Sequence, residues 1–278
     1  MKSKKICVWS GKRGGFGALT PTMRAIQAHE ALELALVVTD QHLYDQFGRT
    51  VREVEDQFPV AAAIDMEQSG DSNEERARAV GLCLQRSVDV LADLAPDVLL
   101  VIGDRGEVFA ACIAAHNMRI AIAHVQGGDL SGSLDEPVRH AITKLSHIHF
   151  PSTEQSAERI RRMGEEPWRI HVAGDTHIDQ ILLGSATGED ELRRRYELGT
   201  GEPFLLVLQH SDSTVPNDSR AQIEATLAGL ADIGMRTMLV YPCSDQGYEG
   251  IIDGLEAARG RPGVSVHQNI PAPDFIGL

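Results

Sequence analysis

Cysteine is scarce in this sequence. The four present, Cys7, Cys83, Cys112 and Cys243, are scattered with no C-x-x-C pair. That excludes a disulfide frame and a zinc ribbon, and it reads as a set of reduced, mostly buried thiols in a cytoplasmic protein. Long apolar runs are also missing. None approaches the ~20 residues of a membrane span. The run after the basic start, Ile6-Cys7-Val8-Trp9, is too short for a signal peptide. Positive charge is in deficit, with 26 Lys and Arg against 40 Asp and Glu, for a net charge of −14. Such a field repels phosphate backbones and excludes general nucleic-acid binding. One small phosphorylated ligand needs only a local basic site. Internal repeats and low-complexity tracts are absent.

What is present is the composition of a folded protein: 42% hydrophobic and 24% charged residues, too apolar for disorder. At roughly 150 residues per domain, the 278 residues suit two domains. Short apolar strands alternate with helical patterns. Strands are expected at 5–9, 34–38, 98–102, 120–125 and 148–150. The Gly-rich segment Gly11 to Gly17 reads as a loop, with a helix from about Pro21 to Leu32. Ser72 and Glu75 form a capping-box pattern before a helix with apolar positions Ala77, Val80, Leu84, Val88 and Leu91. Asp135 reads as an N-cap with Pro137 just inside its helix, and Ser152 with Gln155 as the start of another. A second alternating block places strands at 204–208, 235–241 and 264–267 and helices at 218–231 and 250–258. The polar stretch from Gly184 to Gly201 carries no apolar run and marks a boundary. The expectation is an α/β protein of two doubly wound, Rossmann-like parallel-sheet domains, 1–181 and 182–278. Three strands are few for an independent sheet domain, so the second domain reads as incomplete and the chain as truncated.

In open parallel sheets, ligands bind beyond the carboxyl ends of the strands. That rule selects Lys12 and Arg13, then Asp104, Arg105 and Glu107, then Gln126, Asp129, Asp135, Arg139 and His140, and in the second block Gln209, His210, Ser244 and Asp245. Each has a plainer alternative. Asp104 could cap the following helix. His140, His147 and His149 lack metal-site spacing and read as packing or capping residues. Gly11 to Gly17 is neither a dinucleotide fingerprint nor a P-loop, but with two cations before a helix it suits an anion. No G-x-S-x-G elbow is present, so a hydrolase triad is unsupported.

The segments His42-Leu43…Phe47-Gly48-Arg49-Thr50-Val51, Gly103-Asp104-Arg105, Gly127-Gly128-Asp129…Asp135-Glu136, Arg139-His140-Ala141-Ile142-Thr143-Lys144-Leu145-Ser146-His147, Gln209-His210 and Tyr241-Pro242…Asp245-Gln246-Gly247 occur in this order along nearly the whole chain. In them the sequence resembles the hydrolysing UDP-N-acetylglucosamine 2-epimerases, specifically the sialic-acid-pathway branch of bacteria and animals. The resemblance implies a GT-B architecture with the sugar in the cleft and the nucleotide mostly on the second domain. It implies a cofactor-free and metal-free reaction: a base takes the C2 proton, UDP leaves C1, a glycal forms, and water adds to give N-acetylmannosamine. Asp104 and Asp135 match catalytic carboxylates. Arg139 and His210 match residues near the phosphates and leaving group. Arg13 matches the basic residue of the first loop, and Arg13, His42, Gln126, Asp129, Ser244 and Asp245 are the expected substrate-binding residues. A homo-oligomer, dimer or tetramer, is expected.

Two departures stand out. Where the family usually reads Arg-Ala-Asp-Tyr, this chain has Arg13-Gly14-Gly15-Phe16. Gln126 stands where a carboxylate commonly precedes the Gly-Gly pair, and an amide cannot exchange a proton near neutral pH. These departures open an alternative: a divergent member that hydrolyses, or only binds, a different nucleotide sugar. They also suggest that restoring a carboxylate at position 126 would raise epimerisation.

Overall fold

The computed structural model describes residues 3–183 and 186–278. The first block comprises β1 (Lys4–Ser10), α1 (Arg13–Ala28), β2 (Leu32–Thr39), α2 (Val51–Glu55), β3 (Val60–Ile64), α3 (Asn73–Leu94), β4 (Val98–Ile102), α4 (Gly106–Asn117), β5 (Ala121–Val125), α5 (Asp135–Leu145), β6 (Ile148–Phe150), α6 (Glu154–Arg162) and α7 (Thr176–Leu182). The second comprises α8 (Glu189–Arg195), β7 (Phe204–Leu208), α9 (Ser219–Ile233), β8 (Arg236–Val240), α10 (Tyr248–Ala258), β9 (Val264–His267) and α11 (Ala272–Gly277). Short 3-10 turns link several of them.

The strands form two sheets, ordered β3-β2-β1-β4-β5-β6 and β7-β8-β9, and every strand pairing within them is parallel. Parallel sheets are covered on both faces, and the side chains show it. Cys7, Trp9, Leu99, Val101 and Ile122 point into a core shared with Ala79, Cys83 and Leu91 of α3 and Val108, Ala111 and Ala115 of α4. Their alternates Val8, Leu100, Ile102 and Val125 face Phe16, Leu19, Met23 and Ile26 of α1. One turn of the period-two pleat thus assigns each residue to one of two cores. The smaller sheet repeats the pattern, with Leu239 and Val266 against α9 and α10 on one face and Met238 and Val240 against Leu198 and Ile270 on the other.

Several expectations shift. The Gly-rich segment is a loop only at Gly11 and Lys12. The helix begins at Arg13 and encloses Pro21, and Leu32 already lies in β2. Glycine is a poor helix former, costing about 1 kcal/mol against Ala, so tertiary contact decides here. A Cβ at Gly15 would sit 3.4 Å from Ile102, and one at Gly17 3.2 Å from Gln180 of α7. The glycines let α1 lie close to the end of β4 and to α7. The capping box of α3 is present, with Ser72 Oγ accepting from the Glu75 N–H at 3.2 Å. The buried stripe, however, is Arg76, Ala79, Cys83, Ser87 and Leu91, and Ala77 and Val88 face outward. Asp135 is the first residue of α5, not its N-cap, and α6 is capped by Thr153, not Ser152. β3 and α2 were not foreseen. The expected boundary, 181/182, falls in the last turn of α7; Gly184 and Ser185, just beyond it, lie outside the described residues.

Candidate active site

A cavity of about 680 Å³ opens between the carboxyl ends of the two sheets. Arg13, Asp104, Gln126, Asp129, Arg139 and His210 line it, so strand ends far apart in sequence converge as the strand-end rule requires. Among the expected site residues, His42 also reaches the wall. Asp135, Ser244 and Asp245 are not among the lining residues.

Asp104 follows β4, and Arg139 lies in the second turn of α5. Their side chains form an ion pair. No side chain caps α4, so the Asp104 carboxylate serves the cavity and not the helix start. A second Arg139 N–H donates to the Asp129 carbonyl at 2.9 Å, fixing the guanidinium at the floor. The Asp129 carboxylate accepts from Ser156. Asp135 stands close behind. Burial first, and then the charge of Asp104, raise its pKa above the ordinary carboxylate value. Neighbouring carboxyls of this kind hold one proton between them more readily than either would alone.

On the second sheet, the Cys243 backbone N–H donates to His210 Nδ1 at 3.2 Å. That assigns the proton of the neutral ring to Nε2, which can donate to an oxygen. At the end of β5, Gln126 has φ +61° and donates through Nε2 to Asp175 Oδ1 at 3.2 Å. Asp175 caps α7, and His177 in the first turn of α7 also lines the cavity.

Arg13 does something other than wait for an anion. Its Nη1 donates to the Gln268 carbonyl at 2.8 Å and to Asn269 Oδ1 at 3.0 Å, and its Nη2 to the Tyr241 carbonyl at 2.6 Å. In this arrangement it ties the start of α1 to the second sheet. His42 is sealed by Ser10 Oγ at 2.9 Å and Thr50 Oγ1 at 2.8 Å, and burial pushes its pKa down to about 4. It is a neutral wall residue.

Ser244 and Asp245 belong to a buried charge network. Arg105 Nε donates to Glu107 at 3.0 Å, and Arg105 Nη2 to Asp40 at 3.1 Å and to Ser244 Oγ at 2.8 Å. Ser244 in turn donates to Asp40 at 3.0 Å. Arg105 also pairs with Asp245. Arg76 completes the set, 2.5 Å from Glu107 and 3.2 Å from Asp40. Burial pushes the Glu107 pKa up, but Arg105 and Arg76 outweigh it and hold the carboxyl below its usual range. The network joins the ends of β2 and β4 to the loop after β8. Asp40 and Arg76 escaped the sequence reading. Asp40 directly follows an apolar strand, the signal that selected Asp104, whereas Arg76 carried none. Among the described residues no group of three or more His, Cys, Asp or Glu side chains is placed to hold a metal ion.

Two parallel sheets facing each other across a cleft define a GT-B-like protein, and comparison with known proteins specifies which. Residues 24–278 match the family model described as UDP-N-acetylglucosamine 2-epimerase, and the chain belongs to that family. It is 31% identical over 274 residues to a UDP-N,N'-diacetylbacillosamine 2-epimerase (hydrolyzing) of Legionella pneumophila, covering 98% of this chain and 73% of that protein. It is 30% identical over 257 residues to a UDP-N-acetylglucosamine 2-epimerase of Neisseria meningitidis, covering 91% of this chain and 66% of that one. In fold it is similar to the crystal structure of the Neisseria meningitidis UDP-GlcNAc 2-epimerase bound to UDP-GlcNAc, with a TM-score of 0.78 at 20% identity over 98% of this chain and 74% of the other. No helix among the described residues is long and apolar enough to cross a membrane.

Proposed function

We propose that the protein is a hydrolysing nucleotide-sugar 2-epimerase. It converts UDP-N-acetylglucosamine, or a close relative such as a diacetamido sugar, to the free manno-configured sugar and UDP through a glycal. The carrying observation is the convergence of Asp104, Arg139 and His210 on one cavity between the sheets. Asp104 and Asp135 act as acid–base carboxyls at the sugar, with Asp135, raised in pKa, holding its proton longer. His210 donates through Nε2–H to the departing diphosphate, and Arg139 offsets its developing charge. Gln126 and Asp129 hold sugar hydroxyls. No cofactor or metal enters these steps. The division of labour follows a boundary at 181/182: α7 packs on α1, whereas α8 interacts with α11 through the Arg195–Asp274 ion pair. The proposed setting is the cytoplasm, in sialic-acid-like sugar synthesis, and the proposed assembly is a dimer or tetramer.

A second reading is a member that hydrolyses or only binds another nucleotide sugar. Gln126 in place of a carboxylate and the engagement of Arg13 with second-sheet carbonyls favour it. A proton-NMR time course with UDP-N-acetylglucosamine in deuterated water separates the two. Free mannosamine product deuterated at C2 supports epimerisation. Unlabelled glucosamine product means hydrolysis, and saturable binding without turnover means a binding protein.

A further inference from the structure

Inversion at C2 has a geometric requirement. The proton leaves one face of the carbon and returns to the other, so two proton carriers are needed. The Asp104–Asp135 pair supplies one. The end of β5, where the second would stand, carries Gln126, whose amide cannot exchange a proton near neutral pH. The ionisable group beside it comes from α7. Asp175 Oδ1 accepts the His177 backbone N–H at 2.8 Å, His177 Nδ1–H at 2.9 Å and Gln126 Nε2–H at 3.2 Å. An imidazole whose Nδ1–H is held by a carboxylate presents an unprotonated Nε2, the arrangement of a general base oriented by its acid partner. His177 and Gln126 both line the cavity, and Gln126 Nε2 lies 3.4 Å from His177 Nδ1. The hydrogen bonds with His177 and Gln126 outweigh partial burial and hold Asp175 ionised. The other charged groups lining the cavity are Lys12 and Arg13 at the start of α1, Glu53 and Asp56 at the end of α2, Asp104 and Arg105 after β4, and Asp129 and Arg139.

Resting on the epimerase reading, we propose that His177, oriented by Asp175 and Gln126, is the base that removes the C2 proton. Nε2 takes the proton, the C–H electron pair forms the C1=C2 bond, and the C1–O bond breaks with its pair leaving on UDP. In the second half, the Asp104–Asp135 pair gives its proton to the opposite face of C2 through Asp104, the member that lines the cavity. Water oxygen bonds to C1, and the water proton restores the pair. The imidazolium releases its proton to solvent as UDP departs.

The test uses the full chain with UDP-N-acetylglucosamine. His177→Ala is expected to lower kcat by ~10²–10⁴, the span of a positioned base, with KM and UDP affinity within a few-fold of wild type. Added imidazole restores part of the rate, and one limb of the wild-type pH profile disappears. Asp175→Asn, which no longer fixes the tautomer, lowers kcat in the same direction. His177→Ala with wild-type kcat overturns the inference while leaving the epimerase reading intact. Loss of rate together with UDP binding, and without imidazole rescue, likewise overturns it in favour of a structural role. A wild-type chain that neither binds nor converts UDP-N-acetylglucosamine overturns both.

Discussion

Arg105, on the loop after β4, forms an ion pair with Asp245, on the loop after β8. The contact crosses between the two sheets and sits beneath the cavity. Asp40 and Ser244 close the same circuit from either side. Its effect is to fix the angle of the cleft through charge, since a buried guanidinium left without partners is strongly unfavourable.

Stability is the first test of that circuit. Glu107 is fully buried between Arg76 and Arg105. Glu107→Gln leaves two guanidiniums short of charge and is expected to cost about 3–5 kcal/mol. Urea unfolding followed by circular dichroism reads it as a lower midpoint at an unchanged slope. A midpoint within error of wild type would mean the network contributes nothing net.

Catalysis gives the second test. Asp104→Asn is expected to lower turnover by ~10²–10⁴, and the loss of the largely buried ion pair with Arg139, though not of any capping bond, to lower the unfolding temperature as well. The same change removes the charge that helps raise Asp135. The Asp135 carboxyl should then titrate at lower pH, which carbon-13 NMR measures directly. An unmoved titration would show that burial alone sets its value.

Gln126→Glu provides the third, and here the contact with Asp175 argues for the opposite of the expectation drawn from sequence. The Gln126 amide donates to Asp175. A carboxylate in its place faces Asp175 charge to charge, which raises the pKa of both. Where that bond's roughly 1.5–3 kcal/mol is lost in the transition state, turnover falls by about 10- to 150-fold. Higher turnover in the variant at any pH would restore the original expectation.

Acid stability is the fourth. Burial lowers the pKa of His42 and of His124 to about 4, against about 6.5 in the unfolded chain. The unfolded state therefore binds protons first. The stabilisation is complete above pH ~6.5 and is lost as pH falls toward about 4, by roughly 3 kcal/mol for each ring. Unfolding midpoints between pH 7 and 4 should fall along this slope, and His124→Asn should flatten it. A flat wild-type profile over that window would contradict the assignment.

The parallel sheets and the main strand ends were legible because a covered strand must be apolar throughout, as Val98 to Ile102 is, and because polar residues directly after such runs are conspicuous. Asp104 and His210 were found this way. The α1 start was not legible: local propensity argues against a Gly-Gly helix, and only the closeness of Ile102 and Gln180 explains it. The phase of α3 was misread for a related reason. Arg76 looks like a solvent-facing residue until Asp40 and Glu107, distant in sequence, are placed around it. His177, a cavity-lining residue, carried no such signal because it lies on a helix after β6 and not at a strand end.

The strand order carries a consequence for synthesis. β1 lies at the middle of the six-stranded sheet, and Ile6 pairs with Val98. As the chain leaves the ribosome at about 5–20 residues per second, β1 waits on the order of 5–20 s for that neighbour. During this interval one edge of an apolar strand is open to other nascent chains. Chaperone capture and slowed translation ahead of residue 98 would therefore act on yield, while leaving the activity of each finished molecule unchanged.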